Sequence, residues 1–429
     1  MRDSARSESP AVQAQLDRLA QLSVPDGRLG LDTIRALLSR LGNPHEQLPP
    51  VFHVAGTNGK GSTCAFLRAM LEAEGYKVHV TTSPHLVRYN ERIRVAGDLI
   101  SDERLAELLA EVLDVADGLN PSFFEVTIAA AFTEFARVPA DACVVEVGLG
   151  GRFDATNVIE HPAACGIATL GIDHERFLLA PEEGTPTEPL SRIAFEKAGI
   201  TKPGCSLVTL SYPEGPTLEI ERAAMAAGAP LAMRGREWHA SVDVAGLHYA
   251  DRHGELVLPL PAMPGAHQAD NAALAVAMLR HQDFVSVSAE AIAEGIRSAR
   301  WPARMQRLAP GPLTGDRIIW LDGGHNPDAG AMIARHFAGE RLHLVIGMIE
   351  AKNPQALIAP LADSIGSITV VPVPGHEWHP AIAFGPEARS ADDVPTALAA
   401  LPDDGLPVLV SGSLYLAGEV LRLNDELPD

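Results

Sequence analysis

Short apolar runs rich in β-branched residues alternate with stretches of helical periodicity along most of this chain. The runs Pro50–Ala55 and Ala142–Val147 predict buried strands, whereas Ser101–Ala116 predicts a helix with acidic residues in its first turn. Such alternation is typical of α/β folds, in which helices cover a largely parallel sheet. Shorter alternating pieces between Glu237 and Leu260 predict β-hairpins within this α/β framework.

The alternation breaks near Arg300–Arg304 and restarts with a predicted strand at Arg317–Leu321. The chain has 429 residues, which exceeds the roughly 100–200 residues of a typical single domain. We therefore predict one domain over residues 1–303 and a second, smaller one over residues 304–429. The segment Pro181–Pro189, rich in Pro, Glu and Thr, predicts an exposed loop.

Composition excludes several classes of protein. With 34 Lys and Arg against 55 Asp and Glu, the net charge is −21, which argues against general nucleic-acid binding. No apolar run reaches the roughly 18–20 residues that span a bilayer, and Met1–Pro10 is too polar for a secretory signal. Cys143 and Cys165 lie in apolar runs and are expected to be buried thiols, as in a reducing compartment. We expect a cytoplasmic protein without nucleic-acid or membrane partners.

The most informative segment, His53–Thr63, lies between a predicted strand and a predicted helix over Ser62–Glu74. Glycines allow successive backbone N–H groups to face an anion, and the helix N-terminus adds partial positive charge. Lys60 would then contact the β- and γ-phosphates of a nucleotide. The predicted ATP-binding residues of this loop are Gly56, Thr57, Asn58, Gly59, Lys60, Gly61 and Ser62. A purely structural turn is the alternative.

Three further residues bear on the metal and on the charge at this site. Gly61 stands where a standard P-loop has the hydroxyl residue that holds magnesium, so another group is expected to carry the metal. Glu146 ends an apolar strand, where an ionised acid is costly unless it is paired or metal-bound, or unless it turns to solvent. Lys197, in a predicted helix over Ser191–Ala198, is by composition alone a solvated lysine.

The segment Ala55–Ser62, with the sequence AGTNGKGS, resembles the folylpolyglutamate synthase/dihydrofolate synthase family of the Mur ligase superfamily. Further segments follow in the family's order: Thr82–Leu86, Glu91–Ile93, Glu146–Asn157, Gly171–His174, Glu196–Ile200, Asp322–Pro327 and Ser411–Tyr415. Together they span most of the chain. The resemblance implies a P-loop NTPase-like amino-terminal ATP-binding domain and a Rossmann-like carboxy-terminal glutamate ligase domain.

The resemblance also implies roles for individual residues. It assigns Ser83, Glu146 and His174 to two magnesium ions, and Lys197 to a carbamylated lysine near the second ion. It assigns catalysis to Lys60, Lys197 and Arg304, and further ATP contacts to Asn271, Arg304 and Asp322. The implied substrate-binding residues are Ser122, Phe123, Phe124, Glu125, Phe153, Asp154 and Ala155. Without the family, Asn271 could be a helix N-cap, Arg304 a linker ion pair, and the two phenylalanines core residues.

The implied reaction is ATP-dependent ligation of L-glutamate to dihydropteroate, to the γ-carboxylate of folate glutamyl tails, or to both, through an acyl phosphate. The protein is expected to act as a monomer. The alternatives are a monofunctional member of the family, a Mur-type muropeptide ligase, a P-loop switch without ligation, and an inactive family member retained for binding. Two departures from the family pattern bear on these alternatives. His174 and Lys197 are unusually far apart in the sequence, and Asn353 follows Lys352 where the family usually has an acid.

Overall fold

The computed structural model describes residues 6–22 and 30–428 of the chain. Residues 1–5 of the polar segment Met1–Pro10 therefore lie outside the described residues. The chain forms two compact units, and the second includes two short segments from earlier in the sequence. The first unit comprises Met1–Pro84, Arg88–Ala262 and Gln268–Arg300, and the second His85–Val87, Met263–His267 and Trp301–Asp429.

The main sheet of the first unit is largely parallel. Its strands are β1 Val51–Ala55, β2 Val78–Thr81, β3 Ile93–Val95, β4 Asp98–Leu99, β5 Ala142–Glu146, β6 Ala164–Ile167, β7 Ser206–Thr209 and β8 Leu231–Met233. They are ordered β4-β3-β2-β5-β1-β6-β7-β8, with antiparallel pairing at β2–β3 and β3–β4 and parallel pairing elsewhere. The carboxyl ends of β2, β5, β1 and β6 therefore lie at one edge of the sheet.

Local capping explains where several helices begin. The helices described before residue 300 are α1 Pro10–Ala20, α2 Asp32–Arg40, α3 Lys60–Ala73, α4 Asp102–Val115, α5 Phe123–Arg137, α6 Glu175–Leu178, α7 Pro189–Ala198, α8 Glu214–Ala227, α9 His267–Arg280 and α10 Ala289–Ser298. The side chain of Ser101 accepts a hydrogen bond from the Arg104 N–H and so caps α4. At α5 the predicted capping box of Ser122 and Glu125 is confirmed.

A second, three-stranded antiparallel sheet follows in the first unit. It consists of β9 Trp238–Asp243, β10 Gly246–Asp251 and β11 Gly254–Leu258, in the order β11-β10-β9. The predicted hairpins are therefore confirmed. Gly246 and Gly254, at the two turns, have φ values of 139° and 106°, a region in which side chains other than glycine are strained.

The second unit is also built on a largely parallel sheet. Its strands are β12 Gln306–Arg307, β13 Ile319–Asp322, β14 Leu342–Ile346, β15 Ile365–Val370, β16 Arg389–Ser390 and β17 Val408–Ser411, and its helices are α11 Pro327–His336, α12 Gln355–Leu361, α13 Val394–Ala399 and α14 Leu414–Leu423. The strand order is β12-β13-β17-β14-β15-β16, with only β12 antiparallel to its neighbour in the part of the chain that the structure describes. The predicted α/β fold class is confirmed.

Several predicted boundaries are wrong. Helix α3 begins at Lys60, not Ser62, because Gly59 adopts the left-handed conformation and turns the chain into the helix there. Helix α7 begins at Pro189, not Ser191, because the Glu188 side chain accepts hydrogen bonds from the first turn. The short helix α6 was not predicted.

No helix among the described residues is long and apolar enough to cross a membrane.

Candidate active site

The glycine-rich loop joins β1 to α3 and is fixed to the chain that follows β6. The Thr57 N–H donates to the Thr169 carbonyl oxygen at 2.8 Å. The Thr57 hydroxyl donates to the carbonyl oxygen of Gly171 at 2.8 Å and accepts from the Gly171 N–H at 3.1 Å. These three hydrogen bonds hold the loop at the carboxyl edge of the sheet, where a glycine-led helix N-terminus suits a phosphate group.

Lys60 and Lys197 line the same recess beside this loop. Its lining residues are Gly56, Thr57, Lys60, Val147, Gly148, Leu149, Gly150, Asp173, His174, Leu178 and Lys197. The Lys197 Nζ donates to the carbonyl oxygen of Gly56 at 2.9 Å, across 141 residues of sequence. The Lys60 Nζ lies 3.4 Å from the carbonyl oxygen of Thr57. The fold thus brings together the two lysines predicted to be catalytic.

The interpretation of Lys197 as a solvated helix lysine is wrong. Only 4% of Lys197 is exposed, because the buried side of α7 carries it beneath the glycine-rich loop. Burial, together with the nearby positive charge of Lys60, lowers the pKa of Lys197 to about 7. A substantial fraction of this side chain is therefore a neutral amine near neutral pH.

Two of the predicted metal ligands meet at the ends of neighbouring strands. Glu146 is 5% exposed at the end of β5, so the solvent-facing alternative is wrong. Its Oε2 accepts a hydrogen bond from the backbone N–H of Ser83, which follows β2, at 3.1 Å. His174 lines the lysine recess with a φ of 53°, and Val147, the neighbour of Glu146, lines that recess too.

The side chains near Glu146 offer few protein ligands for a metal ion. Among the described residues, no group of three or more His, Cys, Asp or Glu side chains is arranged to hold a metal. One carboxylate and one hydroxyl residue nevertheless suit magnesium, which keeps several waters and takes its other ligands from substrate phosphates. The residues present therefore fit a divalent cation that is shared with a nucleotide.

Asn271 packs against the glycine-rich loop. Helix α9 begins at His267, so Asn271 lies within the helix and the N-cap alternative is wrong. Asn271 is 2% exposed, and a Cβ atom on Gly59 would clash with its Oδ1. The predicted ATP contact is therefore placed directly beside the P-loop.

Gln268 is a residue of this site that the sequence analysis missed. It is fully buried, and its Oε1 accepts a hydrogen bond from the Asn271 Nδ2 at 3.1 Å. Its Nε2 is buried without a hydrogen-bond partner among the described residues. The spacing of three positions, which places both amides on one face of α9, is the signal that could have found it.

We expect Gly59→Ala to weaken ADP binding by about tenfold, equivalent to ~1.4 kcal/mol. Gly59 has a φ of 84°, where an alanine is strained, and the added Cβ would displace Asn271. Isothermal titration calorimetry with ADP measures the effect. Gly75→Ala is the matched control, since Gly75 has a φ of 97° but open space around it. Equal ADP affinity in the two variants would contradict the role of Asn271.

Ser122 and Glu125, both predicted to bind substrate, have side chains that are engaged in capping helix α5. The Ser122 N–H and hydroxyl donate to the Glu125 Oε2 at 2.7 and 2.8 Å. The Glu125 N–H donates back to the Ser122 Oγ at 3.3 Å. These hydrogen bonds fix the start of α5, and therefore the direction of the two phenylalanines between the capping residues.

The two phenylalanines have different environments. Phe123 packs edge-on against Tyr89, with ring centroids 5.8 Å apart, and the Arg92 guanidinium lies 5.4 Å from its ring centroid. Phe124 contacts Gly148, where a Cβ would clash with the ring. Both rings are half-buried against the same core, but only Phe124 contacts Gly148, which lines the lysine recess, so Phe124 is the better placed of the two to contact a substrate.

The Asp154 carboxylate accepts hydrogen bonds from neighbouring residues of its own loop. Its Oδ1 accepts from the Thr156 N–H at 3.1 Å and from the Thr156 hydroxyl at 2.5 Å, and its Oδ2 accepts from the Leu149 N–H at 2.8 Å. The Thr156 Oγ1 also lies 2.8 Å from Nε2 of His53. Burial lowers the pKa of His53 to about 3, so His53 is neutral and donates from Nε2. This network fixes the loop that carries Phe153 and Ala155.

In the second unit, Asp322 closes the turn after β13. Its Oδ2 accepts from the Met305 N–H at 2.8 Å and its Oδ1 from the Gly324 N–H at 2.7 Å. Arg304 precedes Met305, and its Nη1 lies 3.4 Å from the Ala303 carbonyl oxygen. No ion pair of Arg304 occurs within the described part of the chain, so the linker ion-pair alternative is wrong. Asp322 therefore holds Met305, the residue next to Arg304.

A larger cavity lies away from these residues. Its volume is about 610 Å³, and it lies at the amino ends of β6, β7 and β8, next to Ala163, Ser206 and Leu231. None of the predicted site residues lines it. The residues of the lysine recess lie instead at the opposite, carboxyl edge of the sheet.

Comparison with known proteins identifies the family. No family model matches the chain. The dihydrofolate synthase/folylpolyglutamate synthase of Escherichia coli (strain K12) is 36% identical over 409 residues, covering 92% of each chain. This chain belongs to the dihydrofolate synthase/folylpolyglutamate synthase family. The predicted family and the predicted enzyme class, an ATP-dependent acid–amino-acid ligase, are thereby confirmed.

Two solved structures of the dihydrofolate synthase/folylpolyglutamate synthase family show the same fold. E. coli FolC in complex with DHPP and ADP matches with a TM-score of 0.85 and 32% identity, covering 98% of this chain and 99% of that one. The bifunctional enzyme from Yersinia pestis, complexed with AMPPNP and a Mn ion, matches with a TM-score of 0.83, 29% identity and the same coverage.

Proposed function

We propose that this protein uses ATP to ligate L-glutamate to dihydropteroate and to the γ-carboxylate of folate glutamyl tails. The observation that carries the proposal is the shared recess of Lys60 and Lys197 at the glycine-rich loop. The similar E. coli protein is named a dihydrofolate synthase/folylpolyglutamate synthase, and the two similar solved structures are complexes with DHPP and ADP and with AMPPNP and a Mn ion. They favour the folate branch of the superfamily over a muropeptide ligase.

The reaction divides into two transfers. A carboxylate oxygen of the acceptor attacks the γ-phosphorus of ATP, and the bond to the ADP oxygen breaks to leave an acyl phosphate. The amine of L-glutamate then attacks the acyl carbon, phosphate leaves, and the amine loses a proton. Such phosphoryl transfer depends on positioning and charge neutralisation more than on a nucleophilic side chain. Lys60, at the first turn of α3, supplies positive charge for the γ-phosphate.

A divalent cation would neutralise phosphate charge when bound. Glu146 and Ser83, joined by the 3.1 Å hydrogen bond, would hold one magnesium ion. His174, in the lysine recess, would contribute to a second ion. The carboxylate of Glu146 takes the place of the hydroxyl ligand that Gly61 lacks.

Carbamylation of Lys197 is part of the proposal. The neutral Nζ attacks carbon dioxide, a nitrogen–carbon bond forms, and one proton leaves to solvent. The burial that lowers the pKa of Lys197 to about 7 supplies the neutral amine that this step requires. The resulting carbamate would carry negative charge close to His174.

The remaining site residues follow the family assignment. We assign ATP contacts to Asn271, Arg304 and Asp322 in addition to the glycine-rich loop. We assign the pterin side to Ser122, Phe123, Phe124, Glu125, Phe153, Asp154 and Ala155. Because the carboxylates of Glu125 and Asp154 are engaged in their own loops, the substrate contacts of these segments would come mainly from backbone groups and from Phe124.

The proposed organisation has an ATP-binding domain over residues 1–303 and a glutamate ligase domain over residues 304–429. The protein would act as a cytoplasmic monomer on small molecules, without nucleic-acid or membrane partners. Size-exclusion chromatography with light scattering tests the monomer.

ATP turnover tests the proposed reaction. We expect ADP release to require L-glutamate together with either dihydropteroate or tetrahydrofolate, since the acyl phosphate forms only on a bound carboxylate. A coupled ADP assay with each acceptor, with and without glutamate, measures both activities. Turnover with only one acceptor would show a monofunctional enzyme, and no acceptor-dependent turnover would contradict ligation.

A further inference from the structure

Four charged side chains beside the lysine recess form a closed ring of alternating charge. The Arg152 Nη2 lies 2.6 Å from the Glu182 Oε2 and 2.8 Å from the Glu196 Oε1. The Arg192 Nη2 lies 3.0 Å from the same Glu182 oxygen and 2.8 Å from the same Glu196 oxygen. Each carboxylate therefore contacts both guanidinium groups, and each guanidinium contacts both carboxylates. We call these four residues the ion ring.

Two members of the ion ring lie on α7, and the other two, Arg152 and Glu182, come from loops and are 23% and 22% exposed. The side chains of Arg192 and Glu196, on α7, are 6% and 7% exposed. Glu182 belongs to the segment Pro181–Pro189, for which the sequence predicts an exposed loop. That prediction is wrong for Glu182, whose side chain is 22% exposed, because the two arginines draw it against α7. They also lower the pKa of Glu182 to about 2, Arg152 contributing more than Arg192.

The ion ring contacts three of the segments that carry proposed site residues. The Arg192 Nε donates to the Leu178 carbonyl oxygen at 3.1 Å, at the end of the helix that His174 begins. Glu196 directly precedes Lys197, and its carbonyl oxygen accepts from the Arg152 N–H at 2.8 Å. Arg152 in turn directly precedes the substrate-side segment Phe153–Ala155. The spacing of these three segments thus depends on one set of contacts.

Loss of the Glu182 charge would leave the ion ring with two positive charges and one negative charge. Two guanidinium groups would then share the single carboxylate of Glu196, and like charges repel more strongly in a half-buried setting than in water. The Nη1 of Arg192 has no hydrogen-bond partner among the described residues, whereas its Nε is tied to the Leu178 carbonyl oxygen. Relief of the repulsion requires movement of Arg152 or Arg192, and therefore of the segments that they hold.

We propose that Glu182 is a positioning residue of the ligation site, which sets the spacing of the His174, Lys197 and Phe153 segments through the ion ring. The proposal rests on the proposed function. It also gives a role to the long connection between His174 and Lys197, since that connection supplies Glu182.

The test compares Glu182→Gln with Glu183→Gln in the full-length protein. Glu183 is the exposed neighbour in the same loop and lies outside the ion ring, so it controls for the loss of one loop carboxylate. We expect Glu182→Gln to lower kcat by about ten- to a hundredfold, the effect of a displacement of about 1 Å at a reacting centre. The KM for ATP should change little, because the glycine-rich loop is held separately by Thr57. Glu182→Asp should recover part of kcat, since it restores the charge.

A binding measurement separates this proposal from the proposed function. We expect the affinity for Mn²⁺ in the presence of AMPPNP, measured by electron paramagnetic resonance, to fall severalfold in Glu182→Gln and to stay unchanged in Glu183→Gln. Equal Mn²⁺ affinity in the two variants would overturn the positioning role, whether or not the protein ligates glutamate. A lower Tm with unchanged kcat and Mn²⁺ affinity would also overturn it, since Glu182 would then only anchor its loop. If the wild-type protein does not ligate, the proposed function fails and the Mn²⁺ comparison still decides the role of Glu182.

Discussion

Lys60→Ala should lower the ligation rate by about a hundredfold or more while the protein stays folded. Lys60 is the first residue of α3 and is half-buried at the recess, so its truncation removes little core packing. The lost positive charge should matter most when negative charge moves onto the leaving ADP oxygen. Initial rates of ADP release at saturating ATP, acceptor and glutamate measure the effect, and thermal unfolding verifies the fold.

Lys77→Ala is the control for this substitution. Lys77 is an exposed lysine that precedes β2 in the same unit, and its loss changes the net charge equally. We expect the control to ligate at the wild-type rate. If Lys60→Ala retained activity within about threefold of the wild type, the P-loop assignment would be withdrawn, because one such electrostatic contact is typically worth far more.

Glu146→Gln should cause a comparable loss of ligation together with a raised magnesium requirement. Glutamine keeps the shape of the side chain and can still accept the hydrogen bond from the Ser83 N–H, so the substitution removes mainly the charge. Without metal, the buried carboxylate is costly to desolvate, and its neutralisation should leave the free energy of unfolding unchanged or slightly higher. Magnesium titrations of the ligation rate and thermal unfolding of the metal-free protein test both parts.

Glu134→Gln is the matched control, because Glu134 is as buried as Glu146, each being 5% exposed. The Glu134 Oε2, on α5, lies 2.7 Å from the Arg104 Nη2, on α4. This control should therefore unfold at a lower temperature but ligate normally. If Glu146→Gln instead unfolded the protein while its folded fraction ligated normally, Glu146 would be structural, and the metal roles of Glu146 and His174 would be withdrawn.

The local features of the site could be read from short stretches of sequence. The strand, the glycine-rich loop and helix α3 follow one another within about two dozen residues, and the capping box of Ser122 and Glu125 lies within four. Hydrophobic periodicity and capping involve residues that are close together in the chain, so both can be recognised without knowledge of the fold. The family resemblance rested on such segments and was confirmed by the comparison with the E. coli enzyme.

The burial and hydrogen bonding of the site's side chains, by contrast, depend on contacts between distant segments. Lys197 has the pattern of a solvated helix lysine, and only its contact with Gly56, 141 residues away, shows a buried amine. The carboxylate of Asp154 looks available for a substrate until Leu149 and Thr156 are seen to occupy it. The i, i+3 spacing of Gln268 and Asn271 is local, but the contact of Asn271 with Gly59 depends on the packing of α9 beside the loop.

Local sequence patterns were therefore enough to predict the glycine-rich loop, the strand-end position of Glu146 and the α/β fold class of this protein. The tertiary structure alone decided which of those side chains are buried, charged or already engaged. The physical reason is that desolvation and charge pairing depend on every group packed around a side chain. For Lys197 and Glu182 those groups come from the glycine-rich loop and from Arg152, which are far from them in the sequence.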